Sequence, residues 1–102
     1  MATAKGYWII ECQPVTNQQA MAAYAAAWDS IAERFQAQMQ VCTNELQVVE
    51  GEGATRVIVV AFPSYQTALA CYHSTEYQQA KSHALQAMQR RFTIVAGMEE
   101  AA

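Results

Sequence analysis

The chain has 102 residues, 53% hydrophobic and 15% charged, with a formal net charge of -3, which makes one globular domain with one core and excludes a disordered chain. Its six basic residues, Lys5, Arg34, Arg56, Lys81, Arg90 and Arg91, are scattered, so no stripe follows a phosphate backbone and nucleic acid is not an expected partner. No apolar run approaches the ~20 residues that cross a bilayer, and Met1 to Lys5 lead into a strand-like run without an apolar leader, so a soluble, cytoplasmic protein is expected.

Gly6 to Cys12 is aromatic and β-branched and is closed by Pro14, which cannot donate to a ladder, so a first strand is predicted there. Thr16-x-x-Gln19 has the spacing of a capping box. Behind it Met21, Tyr24, Ala25, Trp28, Ile31, Ala32 and Phe35 recur every three or four residues, the stripe of an amphipathic helix. Gln38 to Cys42 and Glu45 to Val49 alternate on either side of Thr43-Asn44 and read as two strand pieces or one bent strand.

Arg56 to Phe62 is nearly continuous in apolar residues and stops at Pro63-Ser64, a strand that must be covered on both faces. Ser64 can cap a short helix with Tyr65, Ala68, Leu69 and Tyr72 on one side. After a break at His73-Ser74 a second helical run starts near Ser74 or Thr75, where Thr75-x-x-Gln78 repeats the capping spacing, and continues through Tyr77, Ala80, Ala84 and Met88. Arg91 to Gly97 is the last strand, and Glu99 to Ala102 a frayed tail.

The order β-α-β-β-α-β gives an α+β, ferredoxin-like domain with its helices on one face of an antiparallel sheet. Val57, Val59 and Ala61 alternate with Ile58, Val60 and Phe62 and both sets are apolar, so the other face also needs a cover. A second copy's sheet is the economical one. Such a homodimer is barrel-like, with a ligand cavity between sheet and partner or under the broken helix.

Lys5-Gly6-Tyr7-Trp8-Ile9, Glu50-Gly51-Glu52, Arg56-Val57-x-Val59-Val60-x-Phe62-Pro63-Ser64 and Ala68-x-x-x-Tyr72-His73-Ser74-x-Glu76-Tyr77-Gln78 resemble the domain of unknown function 1330 family, within the dimeric α/β barrel superfamily. The resemblance spans nearly the whole chain. It implies small ferredoxin-like protomers that dimerise through their sheets, and no established activity. The chain departs from the family in Gln36 to Asn44, which replace a glycine-rich, arginine-bearing stretch, and in Ala61, where members often carry Glu.

Cys12, Cys42 and Cys71 are odd in number and lack a C-x-x-C spacing, so free and mostly buried thiols are expected. His73, at the helix break, is either a general base near neutral pH or a cap on the short helix. Ser74 and Glu76 orient a ligand or simply start the next helix. Tyr72 and Tyr77 flank the break, in the core or on a rim that stacks a planar ligand. Tyr7 and Trp8 point to opposite faces of their strand, so one of them meets the helices and only the other can touch a ligand between sheets. Glu11 shares its face with Tyr7 and Ile9, either as an acid or base of raised pKa or, at the strand end, paired with Arg56 or wet. Arg56 in turn can hold a carboxylate ligand or a rim salt bridge. His83 reads as solvated surface, Trp28 as core, and no ligand spacing supports a metal.

Nucleotide, haem and zinc signatures are absent from the sequence, so no cofactor is expected. Two functional classes remain. One is a homodimer holding a small, partly apolar or aromatic metabolite. The other is a cofactor-independent enzyme, oxygenase-like or isomerase-like, which the superfamily resemblance implies by fold analogy. The expected site combines His73 and Tyr72 with Glu11 or Arg56.

Overall fold

The computed structural model of the protein describes residues 4–98; the tail expected from Glu99 onward lies outside them. The elements are β1 (Gly6–Cys12), α1 (Gln18–Phe35), β2 (Gln38–Thr43), β3 (Arg56–Phe62), α2 (Tyr65–His73), α3 (Thr75–Ala87) and β4 (Arg90–Ala96). The strands make one antiparallel sheet in the order β2-β3-β1-β4. This is the ferredoxin-like α+β arrangement, with its second helical segment in two pieces.

Register assigns each side chain to a face, because residues directly opposite in an antiparallel pair point the same way. Trp8 lies between Val60 and Ile94, Ile10 between Ile58 and Phe92, and Cys12 between Arg56 and Arg90. These rows meet the helices. The intervening rows, Tyr7 with Ala61 and Val95, Ile9 with Val59 and Thr93, and Glu11 with Val57 and Arg91, form the opposite, open face.

Trp8 is the centre of the core. It is fully buried, its Nε1–H donates to the Ala68 carbonyl of α2 at 3.0 Å, and its ring lies 4.8 Å from Phe62 and Tyr77, 4.9 Å from Phe92 and 5.5 Å from Trp28. Gly6, at the start of β1, touches the turn into α2 so closely that a Cβ there would come within 2.5 Å of the Ser64 carbonyl oxygen.

Four local expectations change. Thr16 does not cap α1: its hydroxyl and N–H both donate to the Ala87 carbonyl, tying the β1–α1 link to the end of α3, and Asn17 caps instead through Ala20 N–H. Glu45 to Val49 form no strand, since Thr43 already faces Val57 next to the start of β3 and no partner remains beyond it; β2 is a single strand with an irregularity between Met39 and Val41. Ser74, rather than a Thr75–Gln78 box, starts α3. Its hydroxyl accepts from Tyr77 N–H and donates to the Cys71 carbonyl, while the Gln78 amide donates back to the Tyr72 carbonyl. Finally, β4 begins one residue early, at Arg90.

The three cysteines are free, Cys12 and Cys71 buried and Cys42 exposed. One thiol should therefore label rapidly in the native protein and three after unfolding, as a thiol titration would read. Burial pushes the Cys71 thiol up from 9.0 to about 12 and raises Tyr77 as well. Between pH 9 and 12 the unfolded chain loses the Cys71 proton and the folded one keeps it, so stability is complete below pH 9 and falls as pH rises through that window. Urea midpoints measured across that range would show the decline. Trp8→Phe, which loses the bond to α2 and leaves a void, should cost about 1–3 kcal/mol in the same assay.

Candidate functional site

The inner stripe of α1, Met21, Tyr24 and Trp28, faces the helix side of β1 and β3 without closing on it. A slot of about 50 Å³ remains, walled by Trp8, Ile10, Ile58 and Val60 below and Tyr24 and Trp28 above, with Arg90 on its border. Beside it lies an outer chamber of about 300 Å³ bordered by Pro14, Val15, Asn44, Thr55 and Arg56. Cys12, Met21, Ile58 and Met88 line both, so the two adjoin and together make the cleft region under the start of α1.

Alternation along β4 explains the cation in this apolar place. Arg91 shares the open face with Glu11, whereas Arg90 falls in phase with Phe92 and Ile94 and turns under the helices. Its Nη2 donates to the Tyr77 hydroxyl at 3.0 Å, and its guanidinium lies 5.0 Å from the Phe92 centroid and 5.5 Å from that of Tyr24. The Tyr24 and Tyr77 hydroxyls are 3.0 Å apart. Because Tyr77 accepts from Arg90, its own proton can go to Tyr24, leaving the Tyr24 proton for a ligand. Burial works against the Arg90 charge, the two tyrosines work for it, and the net shift is upward. The ion pair found among the described residues joins Arg34 and Glu76 on the surface. Arg90 therefore keeps its charge half-buried with aromatic faces and a phenol for company, and no carboxylate.

Arg56 flanks the cleft from the other side, since Cys12 stands between it and Arg90 in register. Its Nη2 donates to Cys42 Sγ at 2.9 Å, and its Nε is buried without a hydrogen-bond partner.

The residues singled out from sequence are dispersed among three places. Trp8 and Arg56 line the cleft, and Tyr77, fully buried, stands behind Arg90. Tyr72 is half-buried at the edge of the aromatic cluster, 5.1 Å from Phe92 and 5.4 Å from Tyr77, with Lys81 Nζ 5.2 Å over its ring. His73 is exposed beside it at the C-terminus of α2. Glu76, three residues on, pairs with Arg34 in the last turn of α1, so this break adjoins the end of α1 remote from Arg56, and the structure does not bring His73 and Arg56 together. Glu11 and Tyr7 lie on the open face. The expected Glu11–Arg56 pair is corrected for the same reason, since odd and even positions of β1 face opposite sides and Glu11 stands opposite Val57 and Arg91. His83 is half-buried on α3 rather than fully solvated. Arg90 and Tyr24 were missed as site residues. The signal for Arg90 was its two-residue spacing to Phe92 and Ile94, which puts a cation on an apolar face; Tyr24 carries no signal beyond its place in the stripe.

Among the described residues no three His, Cys, Asp or Glu side chains are placed to hold a metal ion, and no helix is long and apolar enough to cross a membrane.

The family model for the domain of unknown function (DUF1330) matches residues 5–98. No curated protein matches the sequence. Among solved structures, a protein of unknown function from Rhodopseudomonas palustris superposes with a TM-score of 0.72 at 15% identity, covering 95% of this chain and 85% of that one. A dimeric protein of unknown function and ferredoxin-like fold from Bacteroides fragilis gives a TM-score of 0.56 at 10% identity, over 90% of this chain and 95% of that one. An antibiotic biosynthesis monooxygenase-like protein from Nitrosomonas europaea gives 0.55 at 16% identity, over 96% and 93%. At these identities the likeness is one of fold.

Proposed function

The chain belongs to the DUF1330 family, and from that premise we propose that it is a homodimer in which the cleft of each protomer binds a small, partly apolar or aromatic metabolite through an acidic group. The observation that carries this reading is Arg90, a half-buried guanidinium bordering an aromatic slot, bonded to a phenol and without a carboxylate among the described residues. This half-buried cation has ring faces and a phenol but no counter-charge among the described residues, and a carboxylate ligand would supply one by a charge-assisted bond. Tyr24 and Trp28 give the inner slot an aromatic wall, and the adjoining chamber of about 300 Å³ supplies the room for the rest of the molecule.

The open face of the sheet supports the dimer. Val41, Val59, Ile9 and Thr93 cross its middle in register, and Val41 and Val95 are each 37% exposed in the single chain. The Bacteroides fragilis neighbour is described as dimeric. Three free thiols fit the cytoplasmic location expected from the sequence. Enzymatic oxygenation or isomerisation has less behind it, since the Tyr77 hydroxyl is pushed up by burial and His73 stands apart from the cleft.

Titration with 2-naphthoate, followed by tryptophan fluorescence and calorimetry, tests the site. Arg90→Met should weaken binding at least ~30-fold, the equivalent of ~2 kcal/mol for a lost charged partner, while shifting stability by under about 1 kcal/mol because the Tyr24–Tyr77 bond remains. Unchanged affinity in the variant would remove the reading. For the assembly, light scattering at micromolar concentration should return twice the chain mass, and Val59→Arg the mass of a single chain, since an interface of about 1,200 Å² or more would have to bury the new charge.

A further inference from the structure

We infer that Arg56 is a second anion subsite, so that the cleft takes an elongated apolar or aromatic molecule with two acidic groups, one on Arg90 and the other on Arg56. The inference rests on the reading of Arg90 as an anion-binding residue and adds the number and spacing of charges on the ligand.

Arg56 begins β3 on the same helix-facing row as Cys12 and Arg90. Its backbone is two strand spacings, about 10 Å, from that of Arg90. The side chains then turn apart, Arg56 onto Cys42 of the edge strand and Arg90 onto Tyr77 of α3. A short monoacid cannot span that distance; a diacid with a ring system between its carboxylates can.

Arg56 is also under-satisfied as it stands. A thiol sulfur is a weak acceptor, and it is the partner of the Arg56 Nη2, while the buried Nε–H has none. A guanidinium in this state is costly unless something displaces the thiol and accepts from the fork, as a carboxylate does. The outer chamber in front of it, about 300 Å³, has room for such a group, with Asn44 and Thr55 as polar neighbours. Cys12, Met21, Ile58 and Met88 border both this chamber and the slot at Arg90, so the two cations flank adjoining cavities that one elongated molecule would bridge.

The test compares naphthalene-2,6-dicarboxylate with its monomethyl ester by calorimetry at low salt. The wild-type protein should bind the diacid at least tenfold more tightly than the ester. Arg56→Gln should erase that preference while leaving ester affinity within about twofold, Arg56→Lys should restore part of it, and Arg90→Met should weaken both compounds. Equal affinity of diacid and ester for the wild-type protein, with dependence on Arg90 intact, overturns the second subsite and leaves the first standing. A preference that survives in a folded Arg56→Gln protein overturns it equally. Failure of the wild-type protein to bind 2-naphthoate or either naphthalene diacid derivative removes the Arg90 reading and this inference with it.

Discussion

Burial of the Trp8 indole is the constraint on which the other features depend. Its strand is paired on both sides, so the facing of β1 sets that of β3 and β4, and a one-residue slip would turn every row of the sheet over. The indole prevents that slip. Its ring is surrounded by those of Trp28, Phe62, Tyr72, Tyr77 and Phe92, drawn from helices and flanking strands alike, and its N–H has a fixed acceptor in α2. Apolar area draws Trp8 inward, and the one polar atom on the ring specifies where it stops.

Once Trp8 faces the helices, period-two geometry carries Cys12, Arg56 and Arg90 to the same side. Two cations thereby arrive at the margin of the apolar layer. A structural solution would pair each with a carboxylate. None of the described carboxylates pairs with either: Glu11 stands on the opposite face, and Glu76 is on Arg34 at the far end of α1. What stabilises the guanidiniums instead is weaker and softer: ring faces, a phenol and a thiol. Such an environment holds a charge in place without neutralising it, which is what a site for anionic ligands requires.

The same alternation makes the sheet two-sided. Some of its apolar residues close the core beneath the helices, and others, Ile9, Val57 and Val59 among them, remain half-buried on a face over which no helix or strand of the described residues lies. The proposed dimer and the proposed ligand site thus use opposite faces of one sheet. The strands that line the cleft are those that would meet a partner in the proposed dimer, so the assembly would brace the floor of the site, and a ligand would enter from the edge where α1 begins.

Elements and fold class were legible in local patterns. The stripe from Met21 to Phe35, the apolar run from Arg56 to Phe62 and the break at His73-Ser74 each produce the element they imply, because periodicity and capping act over a few residues. Strand alternation also placed Glu11 with Tyr7 and Ile9. Caps and edges were less legible: Thr16 and Thr75 had the right spacing, but Thr16 was taken by a carbonyl 71 residues away, and Ser74, one position earlier, is the residue whose hydroxyl accepts from Tyr77 N–H. Val48 and Val49 have strand character and no strand beside them. The site itself was decided by tertiary structure. Arg56, Trp8 and Tyr77 were recognisable as capable side chains, but that Arg90 would meet Tyr77, that Tyr24 would complete the pair from α1, and that His73 would be held away from Arg56 depend on which helix crosses which strand. Those are distances between residues far apart in the chain, set by how the aromatic core packs, and no local spacing encodes them.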